Sequence, residues 1–408
     1  MRLLTTPLLH GRERPPFLLL VALTACGTLG MHVIIPALPA TARAMDISIS
    51  TVQLTITLYL IGLSIGQLLY GPASDRFGRR PVLLAGMGLF TLASAVTAFA
   101  PNPGVLIGAR IVQSVGGCSG LVLGRAAVRD SATPERAAGQ LALLTLVMSM
   151  VPAIAPAIGG FITAWFDWRA SYILLLAIGA STLLATVLIL PETNRVQLRA
   201  PAGRSLFRGY VRLLRSSAFR GYAIGGACST TSFYGFMAAA PFIFENHLHR
   251  PTQEVGLYYL VLMLGVAFGS FLANRLSRRV GLRNGLRIAN AIAILGAAGF
   301  VLGDVMGWLN VPVIVGTVTL FMVGAGLASP FALAGSVSVN PQAIGAASGM
   351  YGFIQMGFGM LCTVVVEIWN PGAIYPVGAV LLGSSVAGCL VIMATGPAPR
   401  PTSGGSAA

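Results

Sequence analysis

The sequence predicts an all-α membrane protein with twelve transmembrane helices arranged as two six-helix bundles. Hydrophobic residues make up 55% of the 408 residues and charged residues only 9%, whereas soluble proteins average about 25% charged. The apolar residues form runs of roughly 20 residues, the length that an α-helix needs to cross a bilayer. An arginine-rich segment separates the sixth run from the seventh, so the runs divide six and six.

The apolar runs set the predicted boundaries. The first six spans are 17–40, 51–72, 81–100, 104–127, 139–164 and 169–190, and the last six are 219–243, 254–276, 283–306, 311–334, 344–368 and 374–396. No convincing cleavage site separates the first two spans, so we interpret the first as retained rather than as a signal peptide. The chain then divides into an N-terminal bundle (1–190), a cytoplasmic linker (191–218), a C-terminal bundle (219–396) and a disordered tail (397–408).

Arginine placement predicts the orientation in the membrane. All 26 basic residues are arginines, and with the N-terminus inside, 22 of them lie on the cytoplasmic side. Arg43, Arg169 and Arg250 fall outside, and Arg110 falls within a span. We therefore expect both termini to be cytoplasmic. Nucleic-acid binding is not indicated by the net charge of +15, because the arginines fall in short loops between apolar runs.

The turn between the second and third spans reads GPASDRFGRR, residues 71–80. Gly71 and Gly78 are expected to let two helix ends approach closely, and Pro72 and Pro81 to punctuate the helices on either side.

The charges of the same turn suggest how it is held. Asp75 is expected to face a helix N-terminus or a neighbouring arginine, while Arg76, Arg79 and Arg80 hold the turn at an anionic headgroup surface. The simpler alternative is a positively charged anchor loop.

This pattern, Gly-x-x-x-Asp-Arg-x-Gly-Arg-Arg, resembles the signature loop between helices 2 and 3 of the major facilitator superfamily. A degenerate copy runs from Gly269 to Gly281 with Asn274 in place of the acid. Two copies are what two related halves of one transporter would leave in the sequence.

The fourth span carries an unusual charge at Arg110, which should face the bundle interior or a water-filled cavity. The stretch ARIVQSVGG, residues 109–117, resembles the fourth-helix motif of this superfamily, whose arginine is implicated in proton movement. The alternative is a side chain that snorkels to the outer surface.

In the fifth span, VPAIAPAIGG at 151–160 resembles the antiporter motif of drug exporters, although Ala155 stands where that motif generally has glycine. Pro152 and Pro156 should bend the helix, and Gly159 and Gly160 should permit tight contact with the partner half. A generic kinked span is the alternative.

Nearly the whole chain resembles the Bcr/CflA branch of drug and proton antiporters. The resemblance implies proton-coupled efflux of small amphiphilic compounds across a bacterial inner membrane by alternating access. The expected partners are a small-molecule substrate, protons and the lipid bilayer. The proton gradient would be the energy source, with no cofactor, and the protein would be a monomer.

His32 marks a departure from this branch. Aligning Pro-Ala-Leu-Pro at 36–39 with the branch's first helix places His32 where these proteins typically carry an aspartate. Helix rise places His32 and Arg110 at similar depths, roughly 10 Å below the outer surface, so we expect them to share a cavity and to be candidates for proton coupling. A neutral, hydrogen-bonded histidine is the alternative.

Five further polar side chains are candidates for the substrate cavity, and each is equally explained as a helix–helix hydrogen bond. They are Tyr59, Gln67, Gln113, Tyr234 and Gln355. Because the first six spans hold no carboxylate, neutral, zwitterionic or weakly anionic substrates are favoured over multivalent cations.

Other function classes are less well supported. No set of nucleophile, base and orienting group indicates an enzyme, and we predict no metal site, although His247 and His249 lie near Glu245. Within transport, the alternatives are a metabolite exporter for amino-acid- or sugar-like compounds, an uncoupled facilitator or an uptake symporter. A membrane receptor that has lost transport would be expected to erode the loop that retains Asp75.

Overall fold

The computed structural model describes residues 15–194, 203–277, 279–339, 344–369 and 373–395, and within these ranges the chain forms helices and no strand. The first half contains α1 (Phe17–His32), α2 (Leu38–Ala44), α3 (Ile49–Phe77), α4 (Arg79–Ala98), α5 (Pro103–Ser131), α6 (Pro134–Trp165) and α7 (Trp168–Ile189). Helix α8 (Gly203–Arg215) follows. The second half contains α9 (Ser217–Thr231), α10 (Phe233–Phe242), α11 (Thr252–Leu276), α12 (Leu282–Val305), α13 (Val311–Ser338), α14 (Ile344–Trp369) and α15 (Tyr375–Ala394).

Eleven helical segments in the described ranges are long and apolar enough to cross a membrane, with α1 and α2 counting as one. The predicted seventh span, 219–243, is divided at Ser232 into α9 and α10, so neither piece alone has that length. The all-α fold class is confirmed.

The first span bends because of its prolines. Helix α1 ends at His32, a 3-10 turn follows at Ile35–Ala37, and α2 begins at Leu38. Pro36 and Pro39 each lie at the start of a new helical segment, where a missing backbone N–H costs least.

Pro72 does not end the second span as predicted. Helix α3 continues through Pro72 to Phe77. Proline removes the N–H that would bond the carbonyl four residues earlier, and here the Tyr210 hydroxyl of α8 donates to that carbonyl, Leu68 O, at 3.4 Å. The helix continues because another segment satisfies this acceptor. Pro81 lies in the first turn of α4, where a backbone N–H would have no partner within the helix, so its absence costs little.

The two halves repeat the same internal packing. In the first half α5 packs against α1, α3 and α4, and in the second half α13 packs against α9, α11 and α12. Across the halves, α3 packs on α14 and α6 packs on α11. Helices α3 and α11 form the second span of their halves, and α6 and α14 form the fifth. Each second span therefore meets the fifth span of the other half, and the two contacts are pseudo-equivalent.

The bundle has two ends, which we name by composition. The arginine-rich end holds the turn at Gly78, the residues after α7, helix α8 and the turn before α12. The arginine-poor end holds the turns after α2, α4, α6, α10, α12 and α14.

The predicted linker contains a helix that the apolar runs did not predict. Helix α8 occupies 13 residues of the predicted linker 191–218. The linker residues 195–202 and the predicted tail at 397–408 lie outside the described residues.

Candidate functional site

Arg110 is the most deeply buried charge on α5, with none of its surface exposed. Its NH1 donates to Gly30 O at 2.8 Å and to Gln113 Oε1, and its Nε donates to Thr55 O at 3.3 Å. The guanidinium carbon lies 4.1 Å from the centre of the Tyr59 ring. These contacts join α1, α3 and α5, so the arginine faces the bundle interior, and the snorkelling alternative is wrong.

The Arg110 charge is held by neutral groups. The three ion pairs found in the described part of the chain leave Arg110 out, and its buried NH2 has no hydrogen-bond partner. Carbonyl oxygens and an aromatic face offset part of the cost of burying the charge. Arg110 therefore acts first as a clamp on three helices.

Tyr59 and Gln113 complete this clamp. The Tyr59 hydroxyl donates to Gly27 O at 2.8 Å, and Gln113 Nε2 donates to Ser94 Oγ at 2.8 Å. Both side chains are fully buried. In this conformation they make helix–helix hydrogen bonds and do not line an open cavity.

His32 lies on a different side of α1 from Arg110. A Cβ on Gly30 would meet the Tyr59 hydroxyl and the Phe90 ring, so that side of α1 faces the clamp. Residues two apart on a helix point about 200° from each other. The His32 ring accordingly lies 6.4 Å from the Tyr234 ring of the other half.

The expected shared cavity for His32 and Arg110 is therefore wrong for this conformation: equal depth along the bundle does not place two side chains on the same face. His32 Nδ1 lies 2.8 Å from Thr28 O, so we assign the proton to Nδ1, because a carbonyl can only accept. The buried Nε2 has no hydrogen-bond partner among the residues that the structure describes. It is an available polar atom near the boundary between the halves.

The remaining cavity candidates lie at contacts between helices. Tyr234 packs on the Phe233 ring, and an added Cβ at Gly359 of α14 would meet it. Gln67 packs against Gly352 across the α3–α14 contact. Gln355 donates to Thr230 Oγ1 at 2.9 Å, within the second half.

The fifth-span motif lies in α6, with Pro152 and Pro156 inside the helix. A Cβ on Gly160 would lie 3.1 Å from Thr252 O of α11, which agrees with the expected contact with the partner half. A Cβ on Gly159 would instead meet Val33 O of its own half. The prediction for Gly159 is wrong because successive residues face different neighbours on a helix.

The signature turn is held by a charge network at the arginine-rich end. Arg79 pairs with Asp75 at 2.6 Å and donates through Nε to Asp130 Oδ2 at 2.9 Å. Arg79 NH1 also bonds Ser74 Oγ. Asp75 thus faces a neighbouring arginine, one of its two expected partners, and its side chain is 49% exposed.

Glu192 is a part of this network that the motif did not reveal. Its carboxylate accepts from the backbone N–H groups of Arg79 at 2.9 Å and Arg80 at 3.1 Å, capping the start of α4. Gly78 has φ +95°, and a Cβ there would lie 2.7 Å from a Glu192 oxygen, so glycine is required. A Cβ on Gly71 would have no neighbour within 4 Å, so the expected close approach at Gly71 is wrong here.

The other two arginines of the turn face outward from it. Arg80 NH2 donates to Val187 O of α7 at 2.9 Å, and the Arg76 guanidinium lies over the Phe77 ring. Burial and the Asp75 charge raise the pKa of Tyr210 in α8, which keeps its hydroxyl a donor to α3.

Contacts between the halves close the arginine-poor end. Arg43 pairs with Glu245, and Gln53 Nε2 donates to Ala238 O at 3.1 Å. Thr57 of α3 donates to Thr363 of α14 at 2.9 Å. We name these residues, together with Glu367, the arginine-poor gate.

Sequence reasoning missed Glu367. It lies within the predicted eleventh span, and the stretch VVVEIW at 364–369 is the signal that would have found it: an acid inside an apolar run. Across the described ranges, no three His, Cys, Asp or Glu side chains come together as a metal site.

Comparisons with known proteins agree with this architecture. The profile of the Major Facilitator Superfamily matches residues 20–363. Multidrug resistance protein D of Escherichia coli is 30% identical over 92% of this chain and 93% of its own length. The chloramphenicol resistance protein of Pseudomonas aeruginosa is 31% identical over 90% and 81%. The crystal structure of the D-xylose-proton symporter has a TM-score of 0.73, 16% identity and coverage of 94% and 98%.

Proposed function

The chain belongs to the major facilitator superfamily, among its Bcr/CflA-type drug transporters, and we propose that it exports small amphiphilic compounds from the bacterial cytoplasm in exchange for protons. It is a multi-pass membrane protein rather than an enzyme. The names of the two relatives connect them with multidrug and chloramphenicol resistance, which supports a drug-like substrate for this chain.

The observation that carries the proposal is the pair of pseudo-equivalent contacts between the halves. Helix α6 meets α11 through the antiporter-type motif, where Cβ atoms on Gly160 and Gly256 would come within about 3 Å of the opposite backbone. Helix α3 meets α14 through the hydroxyls of Thr57 and Ser64 and through the packing of Gln67 on Gly352. Two such contacts, related by the internal repeat, let one half rock against the other around a central site.

We place the arginine-rich end in the cytoplasm because basic residues favour that side of a bacterial inner membrane. The arginine-poor gate then faces the periplasm and is closed here by Arg43–Glu245, Gln53–Ala238 and Thr57–Thr363. Substrate would enter from the cytoplasm and leave when this gate opens.

His32 is our candidate for the coupled proton. Its ring lies 6.4 Å from the Tyr234 ring of the other half, and its Nε2 has no hydrogen-bond partner among the described residues. Rearrangement of the halves would therefore change the surroundings of this titratable group. Arg110 contributes by fixing α1 to α3 and α5, so that His32 keeps its position.

A substrate-panel efflux assay tests the export function. The protein is expressed in bacteria that lack their own drug pumps, and retention of chloramphenicol, a sulfonamide, a cationic dye, an amino acid and a sugar is measured. We expect lower retention of a neutral or zwitterionic compound, reversed by a protonophore. Export that continues with the protonophore would indicate an uncoupled facilitator, and export of only amino-acid- or sugar-like compounds would indicate a metabolite exporter.

A further inference from the structure

Glu367 is an acid placed where the two halves of the protein meet. It lies on α14, within a candidate membrane span and two residues from the end of the helix. Only 8% of the residue is exposed. A buried carboxylate is costly unless a cation or several hydrogen bonds compensate its charge.

Its hydrogen bonding is sparse. Thr57 Oγ1 of α3 lies 3.5 Å from Glu367 Oε2 and 2.9 Å from Thr363 Oγ1. The Thr57 hydroxyl has one proton and cannot donate to both. Thr363 uses its own proton on Met360 O at 2.7 Å. Among the described residues, the carboxyl group therefore receives at most one long hydrogen bond, and that bond comes from the opposite half.

No cation compensates Glu367 within the part of the chain that the structure describes, where none of the ion pairs includes it. Helix α3 presents the neutral Gln53 and Thr57 at this end, and α10 approaches α14 through Gly235. Helix α15 begins at Tyr375, whose ring packs on Trp369. The other titratable or charged groups toward this end are Arg43, Asp46, Asp167, Arg169, Glu245, His247, His249, Arg250, Glu254, Tyr258 and Asp304.

We propose that Glu367 is a proton-binding site that controls the arginine-poor gate. Its carboxyl group is protonated while α3 and α14 are joined, as they are here. When the helices separate, water reaches the group, its O–H bond breaks and the proton passes to water, leaving a solvated carboxylate. This inference rests on the alternating access of the proposed function, but on neither the substrate nor the coupled proton.

The direction of the pH dependence follows from this cycle. The joined state binds one proton more than the separated state, so acid at this end favours the joined state. For one proton, the ratio of joined to separated molecules changes by up to about tenfold per pH unit. The proposal therefore predicts a gate that opens as pH rises.

The Arg43–Glu245 pair is a useful contrast because it joins the two halves at the same end through an ion pair. Glu245→Gln removes the charge of one partner, so it should lower the joined fraction while leaving the Glu367-dependent response in place.

Distances between spin labels test the proposal without substrate. Labels are placed by Phe99→Cys and Val305→Cys, two exposed sites at the arginine-poor end of different halves. The five native cysteines are replaced, and thermal stability in detergent confirms folding. Pulsed electron paramagnetic resonance then measures the distance between the two labels in nanodiscs from pH 5 to pH 9.

We expect a short distance at acid pH and a growing longer-distance population as pH rises. Glu367→Gln, which stays neutral, should keep the short distance throughout. Glu367→Met is also neutral and of similar length, so we expect the same short distance for it. It replaces the glutamine variant in the experiment if that variant does not fold. The proposal would be overturned if the label distance in the wild-type protein did not change with pH. It would also be overturned if the neutral variants kept the wild-type pH response. Because no substrate is added, failure of drug export in the efflux assay would leave this result standing.

Discussion

Arg110 illustrates at the residue scale how a charge is held deep in an apolar protein. The sequence predicted that it faces the interior, because a guanidinium in lipid is costly. Two of its partners were not predictable, since they are the backbone carbonyls of Gly30 and Thr55, and every residue has a backbone carbonyl. Only the packing of α1 and α3 on α5 brings those acceptors together.

Replacement of Arg110 should therefore affect both stability and transport. Arg110→Ala leaves buried acceptors without donors, which costs roughly 3 kcal/mol or more, and export should be lost. Arg110→Lys keeps the charge but loses the planar stacking on Tyr59, so rescue should be poor. Melting temperature in detergent and drug retention in cells are the measurements. Full activity and stability in Arg110→Ala would contradict the clamp.

Substitutions of His32 can separate its role in hydrogen bonding from a role in proton uptake. His32→Gln preserves polar side-chain atoms but cannot take up a proton near neutral pH, whereas His32→Asp restores the acid typical of the branch. If His32 carries the coupled proton, His32→Gln and His32→Ala should lose proton-driven accumulation and retain downhill exchange. His32→Asp should restore accumulation with a preference shifted toward cationic substrates. An unaltered proton flux in His32→Ala would exclude the coupling role.

Asp75 belongs to a network whose effect should be conformational. Asp75→Asn weakens the bond to Arg79 while Asp130 keeps the arginine in place. We expect normal membrane insertion and export reduced several-fold, because the balance between access states shifts. Asp304→Asn, the same change at the opposite end, is the matched control. Normal export by a normally expressed Asp75→Asn variant would refute this role.

At the element scale, the sequence predicted the long helices better than their ends. Pro72 was expected to end the second span, but Tyr210 of α8 supplies a donor to Leu68 O and the helix continues. No local pattern contains this information, because Tyr210 lies in another part of the chain. The Glu192 cap on α4 likewise depends on a residue from a distant part of the chain.

The α6–α11 contact depends on the absence of a side chain at Gly256. A Cβ on Gly256 would lie 2.7 Å from Pro156 O, so Gly256→Ala must push the two halves apart. We expect a stability loss of about 1–3 kcal/mol and slower export, measured by thermal unfolding and initial efflux rates. Gly316→Ala in α13, where a Cβ meets nothing within 4 Å, is the matched control. Equal effects of the two substitutions would show that the contact is not tight.

For the whole molecule, composition and motifs predicted the helical class and the family, and both are confirmed. The candidate site was predicted less well. Arg110 and Gln113 do come together, but His32 faces the other half and Gln67 and Gln355 lie at separate contacts. Sequence patterns give depth and helix face, whereas the pairing of faces across two halves depends on the assembled fold.

Export in exchange for protons is tested by substrate-dependent proton flux in everted membrane vesicles. The vesicles are acidified inside by respiration, and a pH-sensitive dye reports the gradient after a substrate identified by the efflux panel is added. We predict that the substrate lowers the gradient in vesicles containing the protein and has no effect in vesicles without it. Accumulation of substrate with no change in the gradient would contradict proton-coupled export.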